Sequence, residues 1–207
     1  MNSKGYKREL EGRISIIPEG VVFVASDFSD IAGVRTIREL IRRMVDKGDV
    51  VRVMPGVYMR PKISKLLKES VPASPEDVAY AIARMNNWTI APSGNTALNK
   101  LGLSTQVPVV WSYVSDGPYS EKQVDGATIK FKHIANRNIT SMSPIALLVV
   151  QALKAIGKDN VDNAILGKIS KWLNDKDLAL VLNETERATV WIRDAIRRMV
   201  QDREKPC

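Results

Sequence analysis

From Val34 onward, apolar residues recur at Ile37, Leu40, Ile41, Met44 and Val45, the three-and-four spacing of a single helix face, and Gly48 supplies a stop. With Ile37 at zero and about 100° per residue, this stripe spans about −60° to +80°. Arg35, Arg38, Glu39, Arg42 and Arg43 fall on the opposite side, between about 100° and 240°. Upstream, Lys4 to Ile17 predicts a helix with Leu10, Ile14 and Ile17 on one side, ended by Pro18 and Gly20. The run Val21 to Val24 is β-branched and aromatic and predicts a short strand. Ser26 is placed to cap a brief helix through Ile31, which Gly33 breaks. Val50 to Val53 and Val57 to Met59, joined by Pro55-Gly56, predict a hairpin running into Arg60, Pro61 and Lys62. Helix, strand, short helix, long basic helix and basic hairpin, in that order, describe a winged helix-turn-helix.

Pro61, Pro72 and Pro75 punctuate a polar stretch and place a domain boundary near residue 72, giving domains 1–72 and 73–207. Ser74 and Pro75 open a helix to about Asn87 with Val78, Ala79, Ile82 and Ala83 inward. Trp88 to Ala91 reads as a strand, and Thr96 to Leu101 as a short helix stopped by Gly102. Val107 to Val114, Glu121 to Val124 and Thr128 to Ile134 read as strands, the last two joined by Asp125-Gly126. Such close connections predict a small antiparallel sheet. Beyond it come helices from Ser143-Pro144 to about Ile156, Asp162 to Leu173, and Glu184 to Asp202. The expected fold class is α+β: a winged helix-turn-helix, then a domain with a small antiparallel sheet and a helical C-terminal end.

The 207 residues carry a formal charge of +8. Residues 34 to 62 hold eight basic side chains against three acidic ones, so +5 lies in one segment and the other 178 residues share +3. Concentrated positive charge on an outward helix face points to a polyanion. An α-helix fits the major groove of B-form DNA, and the N-terminal part of the second helix of such a motif reaches base edges. Arg35, Thr36, Arg38 and Glu39 are therefore expected to read bases, and Arg42 and Arg43 to meet phosphate. Arg52, Tyr58, Arg60 and Lys62 of the wing are expected on adjacent backbone or in the minor groove. Neutralising some 4 to 6 phosphates predicts a slope of log affinity against log salt of roughly −4 to −5. On the last helix Arg187, Arg193, Arg197, Arg198, Arg203 and Lys205 are nearly cancelled by Glu184, Glu186, Asp194, Asp202 and Glu204, which predicts a solvated face.

Other chemistries are disfavoured. The one cysteine, Cys207, sits at the very end and reads as a frayed terminal residue, and the one histidine, His133, reads as a strand residue, so neither a disulfide nor a zinc site is expected. There is no Gly-rich Lys-Ser/Thr phosphate loop, no G-x-S-x-G elbow and no Cys/His nucleophile pair. Asp125 with Lys130 and Lys132 has a faint likeness to metal-dependent nucleases, but Thr128 and Ile129 stand where the second carboxylate belongs. No enzyme activity and no cofactor are expected. The longest apolar stretch, Ile145 to Leu153, is about half of what spanning a bilayer requires, and the N-terminus lacks a signal-peptide apolar segment. A cytoplasmic protein without a membrane partner is the expectation.

The stretch SGNTALNKLGLSTQVP, Ser93 to Pro108, with DFSDIAGVRTIRELIRRMVDKGDVVRVMPGVYMRPK and SPEDVAYAIAR upstream, resembles the AbiEi-type antitoxins of bacterial type IV toxin-antitoxin systems over approximately residues 10 to 140. The resemblance implies a repressor that binds double-stranded operator DNA of its own operon through the N-terminal domain. It also implies counteraction of a nucleotidyltransferase-type toxin, functionally rather than as a stable complex. Arg35, Thr36, Arg38, Arg42, Arg52 and Tyr58 match the positions such proteins bring to DNA. One departure is the wing tip Met54-Pro55-Gly56, where a basic residue often precedes the glycine. The alternative is a protein-interaction module that sequesters a toxin or another partner without reading DNA.

Overall fold

A computed structural model describes residues 3–135 and 139–204. Cys207 and Lys205 lie outside the described residues. The chain divides into two compact units, one within 1–88 together with 123–127, the other within 89–122 and 128–207.

The first unit opens with α1 (Ser3–Ile16), β1 (Val22–Val24) and a 3-10 turn (Ala25–Phe28), followed by α2 (Val34–Asp46) and the hairpin β2 (Val51–Met54) and β3 (Val57–Met59). Strand order is β1-β3-β2, with both pairings antiparallel. Leu10 and Ile14 of α1 and Ile37, Leu40, Ile41 and Met44 of α2 bury their apolar stripes in one core with Phe23, Phe28 and Ile31. Phe23 meets Phe28 edge-on at 5.7 Å and stacks on Tyr58 at 6.1 Å. Gly48, at φ +83, closes α2: its N–H donates to the Val45 carbonyl and that of Asp49 to Met44. This is the paired hydrogen bonding that a left-handed residue after a helix permits. The 3-10 turn begins at Ala25 rather than behind a Ser26 cap, because the Asp27 carboxylate accepts the Val24 N–H at 3.0 Å.

The helix α3 (Pro75–Asn86) belongs to this first unit, which moves the boundary from residue 72 to the Trp88–Thr89 junction. The cause is the sheet: α3 packs on β1 and β3, and Arg84 donates to both carboxylate oxygens of Asp27, at 3.1 and 3.3 Å. Covered by α1 and α2 on one face and α3 on the other, the central strand β3 is buried at Val57, Tyr58 and Met59 alike and shows no alternation. Gly56 of the hairpin turn has φ +87, and a Cβ there would stand 2.5 Å from Met85 Sδ of α3.

After Trp88 the chain forms β4 (Ile90–Pro92), α4 (Gly94–Lys100), β5 (Val110–Ser115), β6 (Ser120–Val124) and β7 (Ala127–His133), then α5 (Pro144–Ile156), α6 (Asn163–Trp172), α7 (Asp175–Glu184) and α8 (Val190–Glu204), all in the second unit except the β6–β7 turn region 123–127. Fold class is α+β, with a small sheet followed by helices. The sheet order is β4-β5-β7-β6. β4 and β5 pair antiparallel, but β5 and β7 run parallel, because the chain goes from β5 out to the edge strand β6 and returns through Asp125-Gly126 into the middle. Both turn residues have positive φ, +45 and +82, as a two-residue hairpin loop demands. Parallel register sets Tyr113 beside Phe131, stacked at 5.9 Å. The helix α5 is buried on almost every side, from Ala146 to Leu153, and forms the axis around which α4, α7 and α8 pack. The expected C-terminal helix from Glu184 starts later, at Val190, as α8; the preceding α7, which the sequence did not announce, ends where Thr185 Oγ1 donates to the Val181 carbonyl at 2.6 Å. Among the described residues no helix is long and apolar enough to cross a membrane.

The segment Ser93 to Pro108 acquires a physical role from its hydrogen bonds. The Ser93 N–H donates to the Ser112 carbonyl at 2.9 Å, and Thr96 Oγ1 accepts the Ser112 N–H at 2.7 Å, so the start of α4 is stitched to β5. At its other end Gly102, φ +67, terminates α4, and Asn99 Nδ2 donates to the carbonyls of Ser104 and Gln106, holding the loop that leads back to the sheet. Thr96 is 3% exposed. Thr96→Val keeps the shape but orphans the Ser112 N–H, so it is expected to lower unfolding free energy by ~1–3 kcal/mol, measurable by urea denaturation of the full chain.

Candidate nucleic-acid interface

Packing of the α2 stripe fixes which residues face outward. Arg35, Thr36, Arg38, Glu39, Arg42 and Arg43 are all exposed, and Arg52 is exposed on the edge strand β2. Among the described residues, the guanidinium groups of Arg35, Arg38, Arg42, Arg43 and Arg52 have no hydrogen-bond or ion-pair partner. Glu39 is likewise unpaired, although Arg35 and Arg43 stand one helical turn away on either side. Gly33 caps α2 without a side chain, so no side-chain oxygen occupies the amides of its first turn. Uncapped amides at the positive end of the helix dipole suit a phosphate oxygen. The sequence signal for this is Gly33 itself, but it reads equally as the breaker of the preceding turn.

The hairpin residues behave differently from expectation. Tyr58 is 8% exposed and stacked on Phe23 in the core, because β3 is the central strand and has no solvent face. Arg60 turns back toward α1, where its Nη1 donates to the carbonyls of Ser15 and Ile17. A cation on the last carbonyls of a helix satisfies acceptors that have no partner within the helix. Lys62 is exposed, but its aliphatic chain lies along Gly20, where a Cβ would come within 2.9 Å of Lys62 Cδ. Of the four wing residues expected at DNA, Arg52 and Lys62 present exposed cations without a partner among the described residues, and Tyr58 and Arg60 do not.

Three arginines elsewhere give a contrast, although Arg8, Arg187 and Arg198 are also exposed and without a partner among the described residues. Arg203 donates to the carbonyls of Ser170 and Leu173 at the end of α6, both at 2.9 Å, and pairs with Asp175 at 3.0 Å. Arg197 makes a forked contact with Glu186 at 2.9 Å. Arg13 pairs with Asp30 and lies 5.3 Å above the Phe28 ring. These side chains hold helices together, whereas those of α2 hold nothing. Asp125, Lys130 and Lys132 do not gather into a site: Asp125 is the hairpin turn, and Lys130 pairs with Glu121 at 3.1 Å. His133 Nδ1 lies 2.9 Å from the Gly117 carbonyl, which accepts its proton. Among the described residues no three His, Cys, Asp or Glu side chains cluster as a metal requires.

The molecule is thus an α+β protein whose first unit displays a helix with an unpaired cationic face. The chain belongs to the Family of unknown function (DUF6088), whose model matches residues 9–180. No curated protein matches it. Among solved structures, the RV2827C protein from Mycobacterium tuberculosis is similar at 16% identity and a TM-score of 0.42, over 96% of this chain and 77% of that one.

Proposed function

We propose that this chain is a cytoplasmic transcriptional repressor that binds double-stranded DNA through a winged helix-turn-helix within its first unit. The observation that carries the reading is the gathering of five exposed, unpartnered arginines on one helix, α2, and the strand that follows it, β2. Desolvated internal pairing would have withdrawn them; free guanidinium groups on a helix of groove-matching width remain available to phosphates and guanine edges. The likeness of residues 10 to 140 to AbiEi-type antitoxins extends the proposal: the DNA is the operator of its own operon, and the repressor is the antitoxin of a nucleotidyltransferase-type toxin. Residues 89–207 belong to the neutralising part on this reading.

Withdrawal of Tyr58 and Arg60 lowers the expected phosphate count. With about three phosphates neutralised per chain, log affinity for a labelled duplex from the adjacent promoter falls with log salt at a slope of roughly −3. Binding that is insensitive to salt, or no binding at low salt, refutes the proposal. A tight stoichiometric complex with the neighbouring gene's product, in the absence of DNA binding, selects sequestration instead.

A further inference from the structure

The cationic face of α2 is not uniform. Opposite the buried stripe, at about 170–190° from Ile37, the crest of the helix is occupied by Arg35 at about 160° and Glu39 at about 200°. Arg38 and Arg42 flank the crest on one side, at about 100° and 140°, and Arg43 on the other, at about 240°. Asp46 shares the crest line about 10 Å further along. The midline therefore carries Arg35 and the two carboxylates, and the other three arginines stand on the shoulders. A face that only neutralised phosphate would gain nothing from an acid at its crest, since each carboxylate near the backbone repels it.

Resting on the DNA-binding reading above, we infer that the α2 crest is a base reader, with Glu39 accepting from the N4 amino group of a cytosine and Arg35 donating to a neighbouring guanine, while Arg38, Arg42 and Arg43 clamp the two phosphate walls. The crest is the part of a groove-bound helix that reaches the floor, where cytosine presents a donor and guanine the N7 and O6 acceptors. Glu39 is exposed and free of ion pairs among the described residues, so its acceptor oxygens need not break an internal bond to engage a base. Arg35 and Glu39 are four residues apart, about 6 Å of rise, which is close to two base steps. The assignment departs from the sequence expectation in moving Arg38 from base to phosphate. The acid on the crest then serves to reject duplexes that place an acceptor, guanine O6 or thymine O4, at its position.

The test enriches duplexes from a pool randomised over a central stretch, using the full-length wild-type chain and the Glu39→Gln and Arg35→Ala variants. The expected result is that wild type fixes a cytosine at one position, that Glu39→Gln relaxes this position alone with ~5- to 150-fold loss of discrimination, and that Arg35→Ala relaxes a guanine within about two steps of it. Glu39→Gln binding every duplex more tightly by one common factor, with the preference unchanged at each position, overturns the inference and leaves DNA binding standing. Wild type that enriches no sequence, yet binds with a salt slope, also overturns the base-reading role. Wild type that enriches nothing and shows no salt-dependent binding removes the DNA-binding reading itself.

Discussion

Replacing Arg38 and Arg42 together by alanine is expected to weaken binding to the promoter duplex on the order of 100-fold or more and to reduce the salt slope by about 2. Each charge-assisted hydrogen bond to phosphate contributes ~1.5–3 kcal/mol, so two of them sum to at least about 3 kcal/mol. The slope falls because two fewer counterions are released. Neither guanidinium has an internal partner, so thermal unfolding is expected to stay within about 0.5 kcal/mol of wild type. Arg203→Ala provides the reciprocal control. That side chain ties the end of α6 to Asp175, so its loss is expected to lower stability while leaving affinity for DNA unchanged. Electrophoretic titration over a range of salt, beside a melting curve for each variant, separates the two behaviours. Full retention of binding by the Arg38/Arg42 double variant rejects α2 as the interface.

Tyr58→Ala is expected to cost ~3–5 kcal/mol of stability, whereas Tyr58→Phe leaves both stability and DNA affinity nearly unchanged. The ring is almost wholly enclosed, stacked on Phe23 across the β1–β3 pairing, and truncation opens a cavity between the sheet and the α1–α2 layer. Its position in a hairpin beside Arg52 suggests DNA when the chain is read linearly, and the Phe variant isolates the hydroxyl, the one group that a nucleic-acid contact would use. Chemical denaturation of both variants, with binding measured on the same preparations, decides between a core residue and a contact residue. A Phe variant that folds normally but loses affinity reverses the assignment.

Legibility in the sequence follows the range of the interaction involved. Repeating apolar positions announce α2 through Ile37, Leu40, Ile41 and Met44, and all four are buried. Gly48 and Asp125-Gly126 mark their turns because positive φ selects glycine and short polar residues locally. The outward face of α2 can be projected from period alone, and Arg35, Arg38, Glu39, Arg42 and Arg43 are exposed as that projection requires. What the line of sequence conceals depends on a second layer. Tyr58 and Arg60 can be placed only by knowing that α3 covers one side of the sheet and that the α1 terminus needs a donor. The parallel β5–β7 pairing is likewise a choice of partner made across an intervening strand. The helix α7, absent from the sequence expectation, buries only Leu178 and Val181, too few to give a period; its usable signal is Asn174, whose side chain accepts the Asp177 N–H at 2.9 Å.

The association of α3 with β1 and β3 has a practical bearing on how this protein is divided for experiment. Cleaving the chain at the proline-marked stretch would strip one side of a three-stranded ribbon and leave Asp27 without Arg84, and such a piece is expected to aggregate through the bared strands. Any autonomous amino-terminal half must carry its sequence through Trp88.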